Sequence, residues 1–244
     1  QQAKALGAAL ASEKPDAIYA SDLQRALTTA QAVASTHRLT VITDNDLRER
    51  CFGAFEGLMY EEVTQRYPEA YAQWQARDLH ARFPMGEREA ETLQEFHERS
   101  VNVLMRIARK HGSGCVIVVS HGGVLDCIYR EATGMPVTAK RDFDTLNAAV
   151  NRLHWDGERF SIRQWADVSH LESAGLDEIE PASPLRRRAE GTASFQRHRH
   201  DSRGLRVHRE HLQRAARIEK GTPDRKSTRL NSSHVALSRM PSSA

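Results

Sequence analysis

The stretch VIVVSHGG at residues 116–123 decides the fold, because a run of apolar residues passes directly into a histidine and two glycines. Four consecutive β-branched residues predict a strand covered on both faces, as in an α/β protein with a mostly parallel sheet. The following residues, about 124–133, predict a helix. Ligands bind beyond the carboxyl ends of such strands, and the N–H groups that open the next helix favour anions. The stretch therefore predicts a phosphate-binding position at His121 and Gly122.

A second junction between a strand and a helix lies near the amino terminus. The sequence DAIYA at residues 16–20 predicts a short strand, Ser21 or Asp22 an N-cap, and residues 23–34 the helix that follows. Arg25 would lie in the first helical turn, where its guanidinium can bind two oxygens of a phosphate. A lone arginine here is more simply explained by pairing with Asp22 on a solvated helix face. The presence of two such junctions favours the phosphate site.

The stretch LRERCFGAFEGL at residues 47–58 has no clean helical or strand period and predicts a loop. Loops over the open end of a sheet often carry catalytic groups. A glutamate among apolar neighbours can have its pKa raised enough to donate a proton near neutral pH. Taken alone, Glu49 and Glu56 are each more simply explained as surface carboxylates.

Together these segments resemble the histidine phosphatase superfamily, which includes cofactor-dependent phosphoglycerate mutases and related phosphatases. Residues 19–30, 47–57 and 118–123 are similar to its SDLxRAxxTA, LxExxxGxWEG and second-histidine motifs, in the same order. The resemblance implies that Arg25 and His121 bind the transferred phosphoryl group and that Glu49 donates a proton to the leaving oxygen. It also implies one domain over residues 1–179, a three-layer α/β/α sandwich with a mostly parallel sheet.

The chemistry of phosphoryl transfer suits these roles. Positive charge from Arg25 and a protonated His121 would stabilise the equatorial oxygens, and an acid such as Glu49 contributes roughly a hundredfold to ten-thousandfold. The mutases of the family carry a longer segment with an arginine pair and prolines, which residues 57–93 lack. We therefore expect a phosphomonoester phosphatase that forms a phosphohistidine and needs no metal or other cofactor. Two alternatives stay open: a non-catalytic relative that binds a phosphorylated ligand or a protein, and a mutase-type phosphotransferase.

One part of the family's site is not found in the sequence. The family's nucleophile is the histidine of an Arg-His-Gly motif after the first sheet strand, and no Arg-His-Gly occurs before Ala17. The pair His111-Gly112 follows a predicted helix at about residues 90–110, so we interpret it as a basic helix end. We expect an amino-terminally truncated fragment that lacks the first strand and is itself inactive.

Two further segments complete the predicted domain. Residues 59–77 predict one helix that crosses Pro68, and its aromatic residues are explained by packing in a lid. Residues 149–155 and 159–165 predict a β-hairpin with a two-residue turn at Asp156-Gly157. This hairpin would form an antiparallel edge of the sheet.

The carboxyl-terminal segments are predicted to lie outside the domain. Residues 180–223 are basic and poor in large apolar residues, which predicts a disordered extension. Residues 224–244 match a translated sequencing adapter and are excluded from fold reasoning. These two segments hold 15 Lys and Arg against 6 Asp and Glu, a net charge of +9. Because the whole chain has a formal net charge of +3, residues 1–179 carry about −6. Nucleic-acid binding by this tail is not expected, nor is a metal site, although four histidines lie close together in it (His198, His200, His208 and His211).

Composition gives weaker indications of cellular context and partners. Cys51, Cys115 and Cys127 are odd in number and lie in different predicted elements, which favours reduced thiols and a cytoplasmic protein. No run of 18 apolar residues occurs, so no membrane association is expected. The expected partner is a small phosphorylated substrate, and a homodimer stays open. The substrate's identity is not readable from the sequence.

Overall fold

Short apolar segments assemble into a central sheet in the computed structural model, which describes residues 1–172 and the backbone of residues 234–239. The helices of this described part are α1 (Gln2–Leu10), α2 (Gln24–His37), α3 (Tyr60–Arg66), α4 (Pro68–Gln75), α5 (Leu93–His111), α6 (Gly122–Thr133) and α7 (Ser169–Glu172). Its strands are β1 (Ala17–Ala20), β2 (Val41–Thr43), β3 (Val116–Ser120), β4 (Val150–Trp155), β5 (Phe160–Asp167) and β6 (His234–Arg239). They belong to one compact unit of residues 1–182 and 229–244, and a second unit, residues 183–228, lies outside the described residues.

The strands follow the order β2-β1-β3-β6-β4-β5. Strand β1 is parallel to both β2 and β3, with Ile18 opposite Val41 and Ile117. Strands β4 and β5 are antiparallel and pair Trp155 with Phe160. The prediction of a mostly parallel sheet with an antiparallel edge hairpin is therefore confirmed.

Successive side chains of the inner strands point to opposite faces and so build two cores. Ile18 and Ile117 pack with α1 and α2 on one face. Tyr19 and Val118 pack with α5 and α6 on the other face. Because helices cover both faces, every residue of β1 and β3 is buried, and the molecule has the predicted three layers.

Strand β6 lies between β3 and β4, antiparallel to the first and parallel to the second. Our interpretation of residues 224–244 as a translated adapter had placed this segment outside the fold. The ladder is made of backbone groups, which every residue except proline carries, so the pairing does not test that interpretation. Our predictions for residues 180–223, including the four clustered histidines, fall outside the described residues.

Two element boundaries differ from the predictions. Helix α2 begins at Gln24 with Leu23 at the N-cap, because Ser21 Oγ instead accepts a hydrogen bond from Leu23 N at 3.2 Å. The predicted helix over residues 59–77 is two helices, since Pro68 lacks an N–H and disfavours helical backbone at the residue before it. Tyr67 accordingly has φ −137° and ψ 55°.

The turn of the hairpin lies one residue later than predicted. Asp156 N donates to Arg159 O at 3.2 Å, so the two residues 157–158 form the turn. Asp156 Oδ1 accepts hydrogen bonds from the N–H groups of Glu158 and Arg159, both at 2.9 Å, and this Asx-type bonding stabilises the turn. In residues 1–172 and 234–239, no helix is long and apolar enough to span a bilayer.

Candidate active site

Two neighbouring strands end side by side and bring the first two candidate residues together. Ser21 N, just after β1, donates a hydrogen bond to Val119 O of β3 at 3.0 Å. Arg25, in the first turn of α2, then reaches the residue after β3, and its Nε donates to His121 Nδ1 at 3.2 Å. The alternative pairing of Arg25 with Asp22 is wrong, because Asp22 binds Arg48.

His121 lies at the N-cap of α6 and is fully buried. Arginine can only donate, so Nδ1 of His121 accepts in this contact and Nε2 is the ring nitrogen that can donate to a ligand. A protonated His121 in the phosphate complex stays a prediction. Burial lowers the pKa of Arg25, and the charges of Glu49 and Glu56 oppose that shift.

The carboxyl group of Glu49 is anchored at the start of the same helix. Its Oε2 accepts from Gly123 N at 3.0 Å, and its Oε1 accepts from Arg50 N at 2.9 Å. Glu49 is half-buried as a residue, but its carboxyl group is enclosed by protein. Burial raises the pKa of Glu49, and the two N–H groups together with the charges of Arg25 and Arg141 offset part of the rise. The group is thus poised to hold and donate a proton.

The two glycines that open α6 have different surroundings. Gly122 is buried as the first helical residue, where phosphate binding was predicted. The N–H of Gly123 is occupied by Glu49. A Cβ at Gly123 would meet the Glu49 carboxylate, and it would lie 2.9 Å from Cζ of Phe96. Glycine is therefore needed at position 123 for the loop to approach the helix.

Several contacts that the sequence did not indicate hold the loop of Glu49 in place. Ser120 Oγ donates to Leu47 O at 2.7 Å, and Arg48 Nε donates to Asp22 Oδ1 at 2.6 Å. From α5, Arg99 Nη1 donates to Asp46 O at 2.6 Å and to Arg48 O at 3.1 Å. The loop is thus tied to both strand ends and to a helix.

The second glutamate of the loop acts on this site only through its charge, which opposes the fall in the pKa of Arg25. Glu56 accepts from Phe52 N at 3.1 Å and lies 3.5 Å from Arg88 on the surface. Beside it the aromatic residues pack on one another, with the rings of Phe55 and Phe83 stacked at 4.5 Å. The surface interpretation therefore fits Glu56, and the lid interpretation fits the aromatic residues.

The sequence did not predict a cluster of arginines around Asp126, which lies three residues after Gly123 on α6. Asp126 on α6 is 4% exposed and accepts from Arg130 at 2.8 Å, Arg77 at 2.9 Å and Arg141 at 2.8 Å. Only the spacing of Asp126 and Arg130 is readable as a helical pair. Arg77 and Arg141 come from distant parts of the sequence and meet Asp126 through tertiary structure.

The site offers no evident metal position. In residues 1–172, no group of three His, Cys, Asp or Glu side chains is arranged to hold a metal ion. The cysteines form no disulfide with one another. Burial raises the pKa of Cys127 on α6, which leaves its thiol protonated near neutral pH.

Comparison with known proteins assigns the chain to a family. Residues 1–168 match the Histidine phosphatase superfamily (branch 1). The chain is 38% identical over 179 residues to phosphoglycerate mutase-like protein 4 of Arabidopsis thaliana, covering 72% of this chain and 75% of that one. It is 39% identical over 165 residues to an Arabidopsis metal-independent phosphoserine phosphatase, covering 67% and 66% respectively. The solved structure of Bacillus stearothermophilus YhfR superposes with a TM-score of 0.62 at 29% identity, over 70% of this chain and 83% of that one.

Proposed function

The chain belongs to the histidine phosphatase superfamily, and from this premise we propose that its site hydrolyses small phosphomonoesters. One observation carries the proposal. A half-buried arginine and a fully buried histidine in contact at 3.2 Å lie beside a glutamic acid whose pKa is raised by burial. This arrangement supplies a place for a phosphoryl group and a proton for its leaving oxygen. The metal-independent phosphoserine phosphatase relative catalyses, by its name, a reaction of this class.

Arg25 and His121 bind the phosphoryl group in this proposal. The guanidinium supplies charge and paired N–H donors, and the imidazole supplies its Nε2 proton. Phosphate binding would replace the present hydrogen bond between the two side chains, because both would turn toward the ligand's oxygens. Gly122, at the positive end of α6, adds the helix terminus to the same pocket.

Glu49 is the general acid. A nitrogen of a nucleophilic histidine attacks phosphorus while the ester P–O bond breaks, and the carboxyl proton of Glu49 passes to the departing oxygen. Water then attacks the phosphohistidine, the P–N bond breaks, and inorganic phosphate leaves as Glu49 regains a proton. The Gly123 and Arg50 N–H groups hold the carboxyl in place through both steps.

The nucleophile of this scheme is not among the 244 residues, since the sequence contains no Arg-His-Gly. We therefore propose that residues 1–244 alone bind phosphate without turnover. The proposed catalytic domain is residues 1–179, and residues 224–244 are proposed to be a translated adapter; residues 180–223 lie outside the described residues. The proposal also includes a cytoplasmic location, small phosphorylated molecules as ligands in preference to nucleic acid, and a homodimer to be tested by sedimentation.

A chimera tests the proposed activity. The amino-terminal part of the Arabidopsis phosphoserine phosphatase relative, which the family resemblance expects to carry Arg-His-Gly, is fused before Gln1. The chimera should hydrolyse p-nitrophenyl phosphate, and Arg25→Ala should abolish this hydrolysis. On an ester with a poor leaving group, Glu49→Gln should lower kcat by about a hundredfold to ten-thousandfold.

The unfused chain is the matched control and should bind inorganic phosphate without hydrolysing the ester. A folded chimera that binds phosphate but shows no hydrolysis would instead support the non-catalytic alternative. That alternative is favoured by one observation, the lack of Arg-His-Gly in the 244 residues. Phosphate binding that survives Arg25→Ala would contradict both functions.

A further inference from the structure

The side chain of Asn147 contains an enclosed acceptor that the protein does not satisfy. Its Oδ1 is covered by protein, yet within residues 1–172 no group donates a hydrogen bond to it. The residue as a whole is only half-buried, so a ligand can reach its carboxamide. An enclosed acceptor without a donor is costly, and folded proteins retain few of them. A ligand that carries an O–H group would supply the missing donor.

The strand register places Asn147 at the same edge of the sheet as His121. Val150, the first residue of β4, pairs with Val235 of β6, which in turn pairs with Val119 of β3. Two strand spacings, about 10 Å, therefore separate Val150 from Val119. Because β6 is parallel to β4 and antiparallel to β3, the latter two strands run in opposite directions. Asn147, three residues before β4, and His121, directly after β3, thus lie at one edge.

Contacts on the other side of Asn147 hold the same segment against α6. Arg141 Nε donates to Asp126 Oδ1 of this helix at 2.8 Å, and its Nη1 donates to Thr145 Oγ1 at 3.1 Å. Thr145, two residues before Asn147, is itself buried. Since α6 has His121 as its N-cap, these contacts also place the segment of Asn147 beside the candidate active site.

The backbone after Asn147 adopts a conformation that is unusual for its residue type. Ala148 has φ +54°, in the left-handed region that favours glycine. Ala149 N donates to Leu146 O at 3.4 Å across this turn. Ala148 and Ala149 are both buried, so packing holds the turn in place. Strain of this kind is retained where the surrounding structure fixes a geometry, and here it fixes the position of Asn147.

We propose that Asn147 is a further binding residue of the candidate active site and that its carboxamide contacts the phosphoryl group. The inference rests on the proposed phosphatase function. Nδ2 donates to a phosphate oxygen, and Oδ1 accepts from a protonated oxygen, P–OH. Arg25 and Nε2 of His121 only donate in this pocket, so Asn147 supplies a neutral acceptor. The pocket then prefers an anion that carries a hydroxyl group.

Hydrogen phosphate and sulfate test this proposal, because at pH 8 both are tetrahedral dianions and only phosphate carries a hydroxyl group. Calorimetric titration of residues 1–244 measures both affinities, and the wild-type chain should prefer phosphate. Asn147→Leu removes the donor and the acceptor with little change of size. It should lower the ratio of phosphate affinity to sulfate affinity by about 5- to 10-fold, as one hydrogen bond to an enclosed acceptor allows.

Thermal stability distinguishes a binding role from a structural one. Because Oδ1 is unpaired in the described part of the chain, Asn147→Leu should leave the melting temperature unchanged or raise it. Asn147→Asp keeps an acceptor but replaces the donor with a negative charge, so it should weaken sulfate binding more than phosphate binding. Asn102→Leu makes the same substitution at an exposed position of α5 and is the matched control, which should change neither affinity.

The outcomes separate this proposal from the one on which it rests. If the wild-type chain binds neither anion, the proposed function is wrong. If it binds phosphate with a preference that Asn147→Leu leaves unchanged, only the assignment of Asn147 is overturned. A fall in melting temperature of several degrees in Asn147→Leu would also overturn the assignment, since Asn147 would then stabilise the fold.

Discussion

The position of Glu49 in the fold, more than its residue type, determines its pKa. The loop holds two glutamates, seven residues apart. Glu56 lies on the surface near Arg88, whereas the carboxyl of Glu49 is enclosed and bound by two N–H groups. Desolvation disfavours the charged form of Glu49 and raises its pKa. Only the glutamate that the loop buries acquires the properties of a proton donor.

This burial predicts a pH dependence of stability. A carboxyl whose pKa is higher in the folded state than in the unfolded state binds its proton more tightly when folded. Stability then falls as the pH rises from the ordinary glutamate pKa of 4.5 through the raised pKa, by at most about 1.4 kcal/mol per pH unit. Glu49→Gln has no such titration. We expect the free energy of unfolding of wild type, relative to Glu49→Gln, to fall between pH 4.5 and pH 8.

Urea denaturation of both proteins across this range measures the difference. Glu56→Gln makes the same change of side chain at the surface of the loop and serves as the control. If the difference in unfolding free energy between wild type and Glu49→Gln stays constant with pH, the pKa of Glu49 is not raised.

At the scale of elements, the helix that supports the loop is defined by its first turn. Helix α5 begins with a capping box, in which Thr92 Oγ1 accepts from Glu95 N at 3.2 Å and Glu95 accepts from Thr92 N at 2.8 Å. Arg99, which holds the loop of Glu49, lies two turns farther along. The cap therefore stabilises the helix face that positions the active site.

Removal of the cap should cost stability. Thr92→Ala removes the side-chain acceptor of the Glu95 N–H at a buried cap residue, so we expect a loss of about 1 kcal/mol. Thr64→Ala is a suitable control, because its exposed hydroxyl only bonds back to Tyr60 O within α3. Equal effects of the two substitutions in urea denaturation would show that the capping box adds nothing.

The sequence predicted the elements whose signals are local. The β-branched run of β3 and the alternation of hairpin strands identified their elements, and Arg25 and His121 followed from junctions at strand ends. The break at Pro68 was missed because the aromatic pattern continues across it. Arg50 and Asp126 could not be assigned from the sequence, since their partners come from distant segments. Tertiary packing alone gives these residues their environment.

At the scale of the whole molecule, charge and function are predicted to lie in different segments. Residues 180–244 carry an excess of nine positive charges, whereas the proposed site lies within residues 25–147. Residues 234–239 of this segment form β6 in the central sheet, so the test concerns the arginines at positions 186–188. Exposed charges are screened over about 8 Å at physiological ionic strength, and we expect these three arginines to contribute little to phosphate binding.

Neutralising part of the tail tests this separation. A triple variant in which Arg186, Arg187 and Arg188 are each changed to Gln should bind inorganic phosphate within about twofold of wild type at 0.15 M NaCl. Retention on immobilised duplex DNA at low salt, where non-specific contacts dominate, should decrease. A parallel fall in phosphate affinity would show that the tail belongs to the site.

The loop around Glu49 has a consequence for hydrogen exchange. Arg50 N and Cys51 N both donate to carboxylates at 2.9 Å, and Ala54 N donates to Pro84 O at 2.8 Å. Amide protons bonded in this way exchange only when the bonds open. An irregular segment should thus show the slow exchange usually found in a helix. In the proposed mechanism, Glu49 is thus held in place before a substrate arrives, and the chemical step does not wait for the loop to close.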